Sequence, residues 1–170
     1  MSITDYLIDS ALVLLVLLQL KERTLTTKAI VRPIVILALA VVNYFHSIPT
    51  AGNDLVLMTA VALTGLSIGV ASGVTVKMRR GERGDVLARA GWVSAFFWVL
   101  GMGSRFAFLV WITHGGMASI ASFSAAHSIT GGAAWTDALL GMAVCEVLGR
   151  SLIMALRRRQ LQGTGTLELA

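Results

Sequence analysis

The chain has 170 residues, of which 56% are apolar and only 14% charged, with a formal net charge of +5 and a mean hydropathy of +0.78. Soluble domains carry about a quarter charged residues, so this composition excludes an ordinary globular fold, and its apolar content excludes a disordered chain. A single Cys excludes an internal disulfide framework, and an integral membrane protein remains.

A helix that crosses a bilayer needs about 20 mostly apolar residues. Five stretches qualify, at approximately 3–20, 29–46, 55–76, 90–113 and 133–156. The predicted fold is all-α, a bundle of five transmembrane helices in one domain over residues 1–159, with a flexible cytoplasmic tail over 160–170. Asp5 and Asp9 stand in the outer turns of the first run, with Ser2 or Thr4 as its N-cap. The acidic opening MSITDYLID lacks the basic stretch of a secretory signal, so this run is expected to stay as a helix. Pro33 falls in the first turn of the second helix, where its missing N–H costs nothing.

The basic residues cluster between apolar runs. Lys21, Arg23, Lys28 and Arg32 surround the first loop, and Lys77, Arg79, Arg80, Arg83 and Arg89 the third. Arg150, Arg157, Arg158 and Arg159 close the fifth run. The N-terminus and the loops His46–Asp54 and His114–Gly132 contain neither Lys nor Arg, which leaves Arg105 as the one basic residue within a span. The positive-inside rule then predicts an N-terminus outside and a C-terminus in the cytoplasm, in a multi-pass protein of the plasma (inner) membrane. The basic side would face the anionic inner leaflet. With no basic patch interleaved with stacking aromatics, nucleic acid is not an expected partner. Residues 115–130 are uncharged but short and polar for a sixth span, and are expected to form an outer loop or a short interfacial helix. Trp92, Trp111 and Trp135 fall near predicted interfaces, as aromatic anchors do.

Between helices in lipid, close approach of backbones through small residues supplies much of the attraction. Gly65, Gly69 and Gly73 recur at four-residue spacing on one face of the third run, and Gly141, Cys145 and Gly149 on the fifth. Two uses fit this ridge: packing of the third run on the fifth within the chain, or the seam of a homodimer. Cys145 has no second thiol to exchange with and reads as a small packing residue.

Arg105 requires a partner or water, because a charge at that depth costs at least a few kcal/mol otherwise. Its best partner is Glu146. At roughly 1.5 Å per residue, the two lie about 12 and 19 Å from the outer end of their antiparallel helices, and their side chains lean toward each other. Such a pair either fixes helix register or forms an ion site, and Glu146 has Arg150 one turn below as a competing partner. Asn43 and Ser104 are candidates to extend the polar layer. On the outer side, His46, His114, His127 and Asp137 are residue types that bind zinc, copper or haem iron. No metal-binding or haem-attachment spacing links them, and histidines are also common at helix ends, so no metal or cofactor is assigned. No nucleophile or phosphate-binding motif is present, and an enzyme is not expected.

The stretch GLSIGVASGVTVKMRRG, the following WVLGMGSRFAF and the dipeptide Arg32–Pro33 together resemble the CcdC-like group of small bacterial membrane proteins. The resemblance covers Arg32–Leu109 and places Gly69, Gly73 and Arg105 on matching positions. It implies a compact multi-span bacterial protein with a Gly-rich helix, a basic cytoplasmic hairpin and a following helix that carries an Arg. The name of the group points to cytochrome c maturation without assigning an activity. The expected function is that of a non-enzymatic accessory or assembly factor, acting on a membrane-protein partner or as a homodimer through intramembrane helix contacts. The alternatives are a small transporter or channel using Arg105 and Glu146, and an outer-face haem or metal binder.

Overall fold

The computed structural model describes residues 23–44, 51–81 and 85–163. The predicted first helix at 3–20 lies outside the described residues, as does His46. The described chain is mostly helical, with α1 (Thr27–Tyr44), α2 (Asp54–Thr75), α3 (Trp92–Trp111), α4 (Met117–Ala126) and α5 (Gly132–Gly163). Among the described residues, three stretches are long and apolar enough to cross a membrane: α2, α3 with its kinked continuation to Ala126, and α5 as far as Gln162. Their outward faces carry large apolar side chains, among them Phe96 at 61% and Phe106 at 69% exposure on α3.

The glycine ridge is consumed within the chain. α2 and α5 run parallel and pack more extensively than any other pair of described elements. A Cβ on Gly65 would fall 2.9 Å from Cα of Met142, and one on Gly69 would fall 2.8 Å from Cα of Glu146. From the other side, a Cβ on Gly149 would stand 3.0 Å from the carbonyl oxygen of Leu66. Each helix therefore presents glycine to the other's backbone, which lets dispersion contacts run along the main chain itself. Gly73 sits against Ile153 and Arg150 lower on the same seam, whereas Gly141 makes only ordinary contact with Met58. This face is not open to a second copy of the chain. α3 packs mainly on α2, and α1 mainly on α5.

Two features depart from expectation, a small sheet in an otherwise helical chain and a longer last helix. The basic loop folds as a hairpin, β2 (Lys77–Arg80) with β3 (Val86–Arg89), and β1 (Arg23–Thr24) adds to the other edge of β3, all antiparallel. Its inner face, Val86 with Met78 and Ala88, covers Leu25 and Ile30 and reaches Met154, Ala155 and Leu161 of α5. That cluster explains the second departure. α5 runs past the predicted end at Leu156 to Gly163, so the first residues of the expected flexible tail are helical. Leu161 gains an apolar surface only if the helix continues beneath the sheet.

At the opposite end two loops are stitched together. Asp54, fully buried in the first turn of α2, accepts hydrogen bonds from the Thr130 amide at 2.8 Å and from the Thr130 hydroxyl. The Asn53 side chain donates to the His127 carbonyl at 2.9 Å, and the Asn53 amide to that of Ser128 at 3.0 Å. Residues 115–130 take the second of their two expected forms, a short helix, α4. Gly115 breaks the chain away from α3 at φ 114°, a conformation that glycine adopts without strain.

Replacing Gly69 by Val should push α2 and α5 apart and lower stability by about 1–3 kcal/mol or more, read as a lower melting temperature in mild detergent. Gly103→Val, where the new side chain meets open space, should stay within about 0.5 kcal/mol of the parent.

Candidate functional site

The polar groups inside the bundle line up along α5. Glu146, Arg150 and Arg157 lie at intervals of about one or two turns and meet α3 and then α2 in succession.

At the upper step Nη1 of Arg105 donates to Oε2 of Glu146 at 2.9 Å, with side chains 18% and 8% exposed. The pairing expected from sequence is therefore present, and it is favoured over pairing of Glu146 with Arg150. The carboxylate needs a further residue that sequence reading missed. A Cβ on Gly101 would stand 2.6 Å from Cδ of Glu146, so glycine at this point of α3 makes the space the carboxylate occupies. The signal was available, because Gly101 and Arg105 are four residues apart and share one helix face. Ser104 does not extend the layer; its hydroxyl donates back to the Gly101 carbonyl at 3.0 Å. The side chain of Asn43 lies outside the described residues.

One turn below, Arg150 turns into the bundle rather than toward solvent. Its Nη1 donates to Oγ of Ser72 at 2.7 Å. Ser94 of α3 donates to the Ser72 carbonyl at 3.0 Å, and both serines are buried. Arg105 is thus not the single basic residue within the bundle, as the charge count implied. Arg150 lies within the fifth predicted run, and the hydroxyl of Ser72 receives it inside the bundle. Lower still, Nη1 of Arg157 donates to the carbonyls of Gly73, Val74 and Val76 at 3.1, 2.7 and 2.7 Å. The last carbonyls of a helix have no partner within it and carry its negative dipole end. Arg157 satisfies those of α2 from the neighbouring helix, a role hidden behind its reading as a topology marker.

The outer-face candidates are not brought together. His114 lies in the kinked turn after α3 and His127 caps the end of α4, and each ring Nδ1 is hydrogen-bonded to a carbonyl of the preceding helix, Val110 at 2.8 Å and Phe123 at 2.9 Å. The ten-residue helix between them spans about 15 Å. Asp137 lies partly buried on α5, and among the described residues no three His, Cys, Asp or Glu side chains group where they would hold a metal ion. Cys145 is a free, half-buried thiol. Trp135, expected as an interfacial anchor, has partners inside the chain. Its indole N–H donates to Ser124 at 3.0 Å, and its ring stacks on Phe108 at 5.3 Å between centroids, holding α4 across the adjoining ends of α3 and α5. Trp92 and Trp111 remain outward-facing.

No family model, curated protein or solved structure matches the chain. Its chemistry is read from its own geometry. The ladder can neutralise charge, fix the mutual height of three helices and cap α2.

Removing one member of the upper step strands the other charge. Arg105→Met and Glu146→Leu should each cost about 3–5 kcal/mol, whereas the double variant should recover most of that loss, because two apolar side chains need no partner. Thermal unfolding of the four proteins in one detergent measures the coupling.

Proposed function

We propose that the protein is a multi-pass plasma-membrane protein with five crossings, N-terminus outside and C-terminus in the cytoplasm, acting as a non-enzymatic accessory or assembly factor. The observation that carries this reading is a contrast between interior and surface. Arg105, Glu146, Arg150 and Arg157 each end on a partner within the chain, so the interior polarity is spent on holding helices. α3 meanwhile leaves Gly103 and Ala107 uncovered, four residues apart among exposed Val99, Phe106 and Val110. Small residues at that spacing permit a foreign helix to approach closely. The glycine ridge of α2 no longer supplies this contact, since α5 covers it, and the docking face moves to α3.

The topology follows from the distribution of charge. The sheet contacts and the Arg157 and Arg158 hydrogen bonds gather β1, β2, β3 and the end of α5 at one end. Asp54, Thr130 and the ends of α4 stand at the other. The resemblance to CcdC-like proteins implies a basic hairpin between the glycine-rich and Arg-bearing helices, where β2 and β3 stand.

A photo-activated cross-linker placed at Phe106 in intact cells should give an adduct with a second membrane protein, and Gly103→Val should abolish the adduct without lowering stability. A self-adduct would identify the partner as another copy of the chain. Exclusive recovery of the bare monomer counts against an assembly role. In a Cys145→Ser background, an impermeant thiol reagent should label Ser128→Cys from outside and Gln160→Cys only after lysis.

A further inference from the structure

α1 and α5 run antiparallel, and their seam carries two adjoining cavities of opposite character. At the basic end Thr24, Thr27, Lys28, Asp85, Arg158 and Gln162 line a groove of about 520 Å³. Toward the middle of the helices Ile30, Ile34, Leu66, Leu148, Leu152 and Ala155 line an almost wholly apolar trough of about 370 Å³. The two adjoin along the seam, since Ile30 stands one turn from Thr27 on α1 and Ala155 one turn from Arg158 on α5. From Arg158 to Leu148, α5 rises about 15 Å, which is half the roughly 30 Å hydrocarbon thickness of a bilayer. The seam has the length of one leaflet, with its cations at the end where headgroups lie.

The two cations of this groove outnumber its one carboxylate, Asp85. Among the described residues neither Lys28 nor Arg158 has a carboxylate partner. Arg158 instead donates from Nη1 to Oγ1 of Thr27 at 2.8 Å, and its Nε is buried without an acceptor. A guanidinium fixed in this way, beside an ammonium and threonine hydroxyls, offers donors in the arrangement that phosphate oxygens accept. Asp85 on the same groove opposes a bare phosphate, but accepts a hydrogen bond from a headgroup hydroxyl.

We propose that the α1–α5 seam binds one glycerophospholipid with an anionic, hydroxyl-bearing headgroup, of which phosphatidylglycerol is the simplest example. Lys28 and Arg158 hold the phosphodiester, Asp85 receives the headgroup hydroxyl, and an acyl chain lies along Ile34, Leu148 and Leu152. The lipid would complete the packing of α1 on the bundle. This inference rests on the chain lying in a bilayer and is independent of the assembly role. A failed cross-link at Phe106 removes that role without touching the lipid seam.

The test uses the full-length protein in mild detergent with equal amounts of phosphatidylglycerol and phosphatidylcholine of matched acyl chains, read by native mass spectrometry. Phosphatidylglycerol should be retained about tenfold in preference, the effect of one to two basic side chains at a headgroup. Lys28→Gln, a change at an exposed side chain, should reduce that preference several-fold, and Lys28→Gln with Arg158→Gln should abolish it. Leu152→Trp, which fills the trough from its open side, should lower retention of both lipids while the circular dichroism spectrum is unchanged. Equal retention of the two lipids, or a preference that survives the double variant, overturns the proposal. So does displacement of the lipid by inorganic phosphate alone, which would make the groove a free-anion site. A disulfide between cysteines introduced at Leu14 and Leu152, in the Cys145→Ser background, would assign the trough to residues 1–22 of the chain and overturn it equally.

Discussion

Backbone contact between α2 and α5 is the constraint on which the rest of the bundle depends. Lipid tails are as apolar as Leu, so the hydrophobic effect does little to hold helices together inside a bilayer, and attraction falls to dispersion and hydrogen bonding at close range. Gly65, Gly69 and Gly149 remove the side chains that would keep the two axes apart. The seam then sets the height of α5 against α2 to within one turn. That height puts Arg157 beneath the last carbonyls of α2 and Arg150 beside Ser72. A slip by one residue would rotate every one of these groups away from its partner.

The interior charges follow from that arrangement rather than causing it. Glu146 projects from the same turn of α5 whose backbone touches Gly69, and its carboxylate crosses to α3 through the space left by Gly101. Arg105 meets it there. An ion pair away from water repays its desolvation only when geometry is good and remaining donors are satisfied. Glycine on two helices supplies the close geometry of the pair, which suits it to specifying which helices meet and at what level. The basic end has a different logic. There a small sheet and the prolonged α5 enclose a cluster around Leu25, Ile30 and Val86, at the ends of the long apolar runs.

Much of this was legible in the primary structure because membrane helices are specified by length and charge placement. The second to fourth helical stretches and the start of the fifth emerged within a few residues, and the Arg105–Glu146 pair emerged too, since helical rise and side-chain tilt suffice to compare depths on antiparallel helices. The choice between intramolecular packing and a dimer seam was not legible. Spacing shows that a glycine face exists, and only the neighbour decides who uses it. The short β2–β3 hairpin was hidden because its sequence, KMRR with VLAR, reads first as a charge run. Arg157 as a cap on α2 and Arg150 in the bundle were hidden for a related reason. Both depend on contacts across more than 75 residues, between Arg150 and Ser72 and between Arg157 and the Val76 carbonyl.

The 56% apolar and 14% charged sequence by itself determined the solvent in which the chain is expected to fold, the stretches expected to cross it and the expected side for each loop. Those properties depend on sums over contiguous residues, which a linear reading measures directly. The tertiary structure decided where the few charges go. A guanidinium or a carboxylate away from water must find its partner in space, and for Arg105, Glu146, Arg150 and Arg157 that partner is set by how closely two glycine faces let α2 and α5 approach.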